Sequence, residues 1–244
     1  MSLLTMVQGV ADKIGVARPA YIIANADQTV RRLLALANEE GDALARYPHP
    51  KGGWAAQQKI YNFTTVAGQE EYNLPNDFLS FIDNTMWDKT GRRPVNFPIN
   101  PALWAEVKAG DITQLVGKQG RVMRSATSGN NVLLLSPLPA SSGEIVSLEY
   151  RSSYWCKALD GSLSNNFVAD SDVSLLPEFL LALGLRWRFL RDVGMDYGAH
   201  YQEYSNVLRQ ELARDGGMVS RNLAKNSAVE HGIGYQHITD GGWA

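Results

Sequence analysis

Carboxylates are the only side chains here in enough supply to consider for catalysis: Glu39-Glu40, Glu70-Glu71 and Asp77. A glycosidase sets two carboxyl groups face to face, about 5–9 Å apart across a sugar-binding cleft. Neighbouring residues on a helix or a strand point apart instead, so neither pair builds that arrangement, and Glu70-Glu71 reads as exposed strand positions. No catalytic residue is assigned. The histidines His49, His200, His231 and His237 show neither H-E-x-x-H nor paired Cys/His spacing, and no metal ligand is assigned. The single cysteine, Cys156, precludes an internal disulfide framework and a multi-cysteine metal site. Gly117-Lys118-Gln119-Gly120 lacks the phosphate-loop spacing, Gly232-x-Gly234 has no strand-to-helix context, and G-x-S-x-G does not occur. No cofactor is expected.

Composition agrees with a globular chain. Its 244 residues are 45% hydrophobic and 20% charged, enough to bury one large core or two small ones. A formal net charge of -2 argues against a protein whose main task is gripping nucleic acid, which calls for a basic excess to neutralise phosphates. The first residues, MSLLTMVQGVADKIGV, lack the basic start of a signal peptide. The apolar run Leu180 to Leu190 carries Arg186 and Arg188 and falls short of the ~20 residues of a membrane span. A soluble intracellular product without a membrane partner is expected.

Helical periodicity marks both ends of the chain. Leu3, Val7, Val10 and Ile14 predict a short helix ending near Gly15. Asn25 and Gln28 have capping-box spacing, and Val30, Leu33, Leu34, Ala37 and Leu44 form a core-facing stripe, predicting a second helix to about Arg46. Arg31-Arg32 reads as its solvated face, with a channel-lining role open in a ring. Pro177 starts a later helix in which Phe179, Leu180, Leu183, Trp187 and Leu190 face a core. Beyond Gly194, Tyr197, Tyr201, Tyr204, Leu208 and Leu212 share one side of a last helix. Arg186, Arg188 and Arg191 are expected to pair with carboxylates of neighbouring helices or protomers, a channel-lining role again being open.

Between these ends strand signals dominate. Phe63 to Val66 and Glu70 to Leu74, joined by Ala67-Gly68-Gln69 and stopped by Pro75, predict a hairpin. Phe81 to Asp88 and Arg93 to Phe97 predict a second hairpin with its turn at Thr90-Gly91. Asn100-Pro101 opens a short helix with Leu103, Trp104 and Val107. Arg121 to Arg124, Val132 to Ser136 and Ile145 to Tyr150 read as further strands, and Ser152 to Asp172 as a connecting loop.

The order Thr65-x-x-Gly68-Gln69-x-x-Tyr72-x-Leu74-Pro75-x-Asp77-Phe78, with Trp54 upstream, resembles a pattern in the head-to-tail adaptors, or tail accessory factors, of short-tailed bacteriophages. The layout of the whole chain is similar to theirs. The resulting expectation is an α+β protein: a helical part at 1–53, an antiparallel β domain inserted at 54–156, a loop and helical hairpin at 157–214 completing the helical body, and an extended tail at 215–244. The resemblance implies a non-enzymatic structural protein of the virion, made in the host cytoplasm. It implies copies assembled as a ring, usually of twelve, under the portal protein, extending the DNA channel and receiving a downstream tail or nozzle protein. Some relatives are credited with peptidoglycan cleavage, which keeps a lytic tail enzyme as one alternative; an unrelated interaction module is the other.

The tail holds six glycines and no sustained periodicity, yet carries Ile233, Tyr235, Ile238 and Trp243. Too little apolar area is present for it to fold alone, so these four residues are expected to be its contacts with the portal.

Overall fold

The computed structural model describes residues 1–48, 53–109, 117–125 and 129–215. The helices are α1 (Leu3–Ile14), α2 (Gln28–Ala45), α3 (Pro101–Ala109), α4 (Glu178–Asp192) and α5 (Gly198–Arg214). The strands are β1 (Gln58–Thr64), β2 (Glu71–Asn73), β3 (Phe78–Phe81), β4 (Trp87–Asp88), β5 (Arg93–Pro94), β6 (Gln119–Arg124), β7 (Asn131–Ser136), β8 (Ile145–Ser152), β9 (Cys156–Lys157), β10 (Leu163–Ser164) and β11 (Val173–Ser174). The fold is α+β, with every strand pairing between named strands antiparallel.

Local chemistry sets the helix ends. Ser2 caps α1, and Gly15 closes it in the left-handed region at φ 73°. α2 begins later than its capping-box spacing suggests: Asp27, not Asn25, is the cap, its carboxylate accepting the N–H groups of Thr29 and Val30. Asn25 supports it from outside by accepting the Asp27 N–H at 2.9 Å. Asn100 caps α3 through the Leu103 N–H at 2.7 Å, as Asn-Pro predicts.

α1, α2, α4 and α5 form one apolar core around Leu3, Leu33, Leu44, Leu180, Leu181 and Leu185. Both ends of the β region are fastened into it by tryptophan. Trp54 donates its indole N–H to the Leu44 carbonyl at 2.8 Å. Trp155, fully buried, donates to Asp42 at 3.1 Å and meets Phe167 edge to face at 4.9 Å. A Cβ on Gly41 would stand 2.2 Å from the Trp155 ring, so only glycine lets α2 approach that indole. Phe179, expected in the core, is instead 58% exposed at the start of α4, while the flanking Leu180 and Leu181 are buried.

The β region has two sheets sharing a second core of Phe63, Tyr72, Leu133, Leu135, Val146 and Leu148. One orders β1-β8-β4-β5 with β3 also on β8; the other orders β2-β7-β6. β7 is apolar on both faces because Leu133 and Leu135 face that core while Val132 and Leu134 pack with Ile99 and Trp104 of the α3 segment.

This topology corrects the first expected hairpin. β1 pairs with β8 and β2 with β7, so Phe63-Thr64 and Glu71-Asn73 lie in different sheets. The Gly68 turn is real, with Gln69 N–H donating to Val66 O at 3.1 Å and Gly68 at φ 73°, but it carries the chain between sheets. The second hairpin holds as β4–β5, with Arg92 rather than glycine taking positive φ at 51°. The segment read as a plain loop contains β9 and β10, which with β11 make a small sheet.

Candidate functional site

The residues of the adaptor-like pattern form two hydrogen-bonded nodes. At the turn, the Tyr72 hydroxyl accepts the Val66 N–H at 3.2 Å and donates to Gln69 O at 3.0 Å. Gln69 donates its side-chain amide to Glu71 O at 2.6 Å. Gly68 N–H reaches Pro139 O at 2.9 Å and Thr65 N–H reaches Glu144 O at 2.8 Å, fastening this corner to the turn before β8. The second node is Asp77, only 8% exposed. Its carboxylate accepts from Lys59 at 2.6 Å, Ser152 at 2.6 Å and Tyr150 at 2.9 Å. Burial pushes the Asp77 carboxyl up, but the hydrogen bonds from Lys59, Ser152 and Tyr150 outweigh it and hold it below the ordinary aspartate range. Pro75 O accepts the Phe78 N–H at 3.0 Å, turning the chain into β3, where the Phe78 and Phe81 rings meet tilted at 49° with centroids 4.4 Å apart. Leu74 packs against the second core. The pattern is thus a scaffold holding two sheets in register.

The remaining candidate carboxylates are also engaged structurally. Glu70 pairs with Lys108 of α3 at 2.9 Å, and Glu71 accepts from Ser125 at 3.3 Å. Glu39 and Glu40 do not simply diverge, for the Arg188 guanidinium of α4 meets both. Glu40 is completely buried. Burial raises its pKa above the glutamate range, and the Tyr204 hydroxyl and Arg188 offset this only in part. A Cβ on Gly184 would lie 2.2 Å from the Glu40 carboxyl carbon, so α4 makes room for this carboxylate by having no side chain there.

The arginines divide by environment. Arg188 is taken by carboxylates of a neighbouring helix, as expected. Arg191 lies over the Trp187 ring at 4.9 Å, Arg32 pairs with Asp192 at 3.1 Å, and Arg31 is exposed. Lys118 joins Asp88 to Glu144, a triad that the sequence reading missed. Among the described residues no group of three His, Cys, Asp or Glu is placed to hold a metal ion. Cys156 is buried, and burial pushes its thiol up to about 11, away from thiolate chemistry. No described helix is long and apolar enough to cross a membrane.

One exposed apolar surface is the outer face and edge of the larger sheet. Ile60, Trp87 and Ile145 are 65%, 44% and 44% exposed on β1, β4 and β8. Register puts them on one face: Thr64 lies opposite Ile145, and Trp87 lies opposite Ser147, which in turn faces Asn62. The alternation Ile60-x-Asn62-x-Thr64-x-Val66 was the available sequence signal. The expected portal contacts Ile233, Tyr235, Ile238 and Trp243, and also His49, His231 and His237, lie outside the described residues. The last described residue, Asp215, accepts the Ala55 N–H at 2.8 Å, which fixes where the tail begins.

Residues 1–225 match the family described as SU10 adaptor protein. That match ends before Ile233. No curated protein matches the chain.

Proposed function

Because this chain belongs to the SU10 adaptor protein family, a family of phage head-to-tail adaptors, we propose that it is the ring-forming adaptor beneath a portal. In this reading it extends the DNA channel and carries the next tail component. The match over residues 1–225 carries the reading. The site chemistry supports it: Glu40, Glu70, Glu71 and Asp77 serve as ion-pair and hydrogen-bond partners inside the fold rather than lining a substrate cleft.

Separate helical and β bodies give each copy two different surfaces, which suits the head-to-tail contacts of a closed ring. Portal attachment falls to the tail, through Ile233, Tyr235, Ile238 and Trp243. A segment ordered on binding depends on a few buried side chains, and aromatic ones are the usual hot spots at ~2 kcal/mol or more each. DNA passes the ring without sequence-specific contact, in keeping with the net charge of -2.

The test is genetic. A phage lacking this gene product should accumulate heads with portals but without tails, seen by electron microscopy. Normally tailed particles would refute the reading, and a defect confined to cell-wall penetration would favour the lytic alternative.

A further inference from the structure

β1 is an edge strand of seven residues, and among the described residues no strand pairs with its outer side. The direction of its backbone groups follows from β8. Glu149 O and Ile145 O accept from Ile82 and Lys89 on the β3–β4 side, while Glu144 O accepts from Thr65. Even-numbered residues of β8 therefore face β1, where Val146 and Leu148 oppose Phe63 and Tyr61. Ile60, Asn62 and Thr64 must then direct their N–H and C=O groups away from the sheet. An open edge of this length invites pairing, and proteins usually blunt one with proline, charge or a bulge. β1 has no proline and pairs regularly along its length, and its one charge, Lys59, is spent on Asp77.

The described chain ends close to that edge. Asp215 accepts the Ala55 N–H, three residues before β1 starts, so the last described residue stands near the head of the strand. Residues 216–232 could span about 56 Å if extended, whereas β1 is only about 23 Å long. They are therefore long enough to bring the following residues to any point of the edge. Those following residues, Ile233-Gly234-Tyr235-Gln236-His237-Ile238-Thr239, are the tail's richest stretch in β-branched and aromatic types and contain no proline.

We propose that in the free protein Ile233–Thr239 adds to β1 of the same chain as an extra strand. Main-chain bonds to Ile60, Asn62 and Thr64 hold it, and alternate side chains cover the exposed Ile60 face. A consequence that rests on the adaptor reading is that the portal must displace this strand, so the anchor stays hidden until a portal is present. The docking itself does not depend on that reading.

The test uses the full chain without portal. In hydrogen exchange read by NMR, the amides of Ile60, Asn62 and Thr64 should exchange at least tenfold more slowly in the wild type than in Tyr235→Pro. Proline fixes φ away from the extended ladder geometry and has no N–H to donate, so it disfavours an added strand. Equal, fast exchange in both proteins would overturn the proposal. In a second measurement, Ile60→Cys with Tyr235→Cys should give an intrachain disulfide whose yield is independent of concentration, the native Cys156 being buried. Only interchain bonds, or none in a screen pairing Ile60→Cys with cysteines from 233 to 239, would also overturn it. Failure here with intact portal binding would leave the adaptor reading standing.

Discussion

Replacing Arg188 with methionine isolates the buried ion pair between α2 and α4. Glu40 is fully buried and the Arg188 side chain is 11% exposed, so removing the guanidinium leaves a carboxylate with no route to water. Removing one partner of a buried pair costs about 3–5 kcal/mol. The Glu39 half of the bridge is 53% exposed at the carboxylate and adds little. Methionine keeps most of the apolar stem, so lost packing is a minor part of the effect. For a domain of this size each kcal/mol lowers Tm by roughly 2–4 °C, giving a fall of about 6–20 °C.

The loss should also depend on pH. Burial holds Glu40's folded-state pKa above its ordinary value of 4.5, so its contribution is complete below that value and is lost as pH rises through the folded one. Without Arg188 the folded value climbs further, and the penalty at pH 7 should shrink as pH approaches 4.5. Urea unfolding of the wild type and the variant at pH 7 and pH 5 measures this. The double variant Glu40→Met with Arg188→Met should recover most of the loss, because an apolar pair has no stranded charge. A single-variant loss under about 1 kcal/mol, or one that does not change with pH, would refute the reasoning.

Three further outcomes are expected. Asp77 is held below its ordinary value of 3.8, so its contribution is present above that value and lost as pH falls through the folded one; Asp77→Asn should flatten stability below about pH 4 in acid titration followed by circular dichroism. Gly184→Ala should destabilise the helical body by about 1–3 kcal/mol in denaturant unfolding, because its Cβ would overlap the Glu40 carboxyl group. Tyr235→Ala and Trp243→Ala should each weaken portal binding by roughly tenfold or more in calorimetry, each losing one aromatic anchor of ~2 kcal/mol.

The parts legible in the sequence were those whose signal is local. α1, α2, α4 and α5 follow from apolar stripes, and α3 from Asn100-Pro101. β6, β7 and β8 follow from apolar runs bounded by turns. The β1–β2 hairpin was misread because a glycine turn reveals that the chain bends and not which strand receives it. The partner of Phe63 is Val146, set by core packing far along the sequence. β9, β10 and β11, two residues each, are too short to show alternation. Glu40 was weighed only as a candidate catalytic carboxylate, yet it falls on the same helical stripe as Ala37 and Leu44. Glycines at 41 and 184 were the further clue that α2 and α4 approach closely around large neighbours.

The claim that this chain is a portal-templated adaptor is tested most directly by light scattering of the purified full-length protein, alone and mixed with portal rings. The account predicts a monomer or weak associate alone, and with portal a complex whose added mass corresponds to a ring of copies matching the portal. A stable closed ring without portal would contradict templated assembly, and a mixture that leaves both masses unchanged would contradict the adaptor function itself.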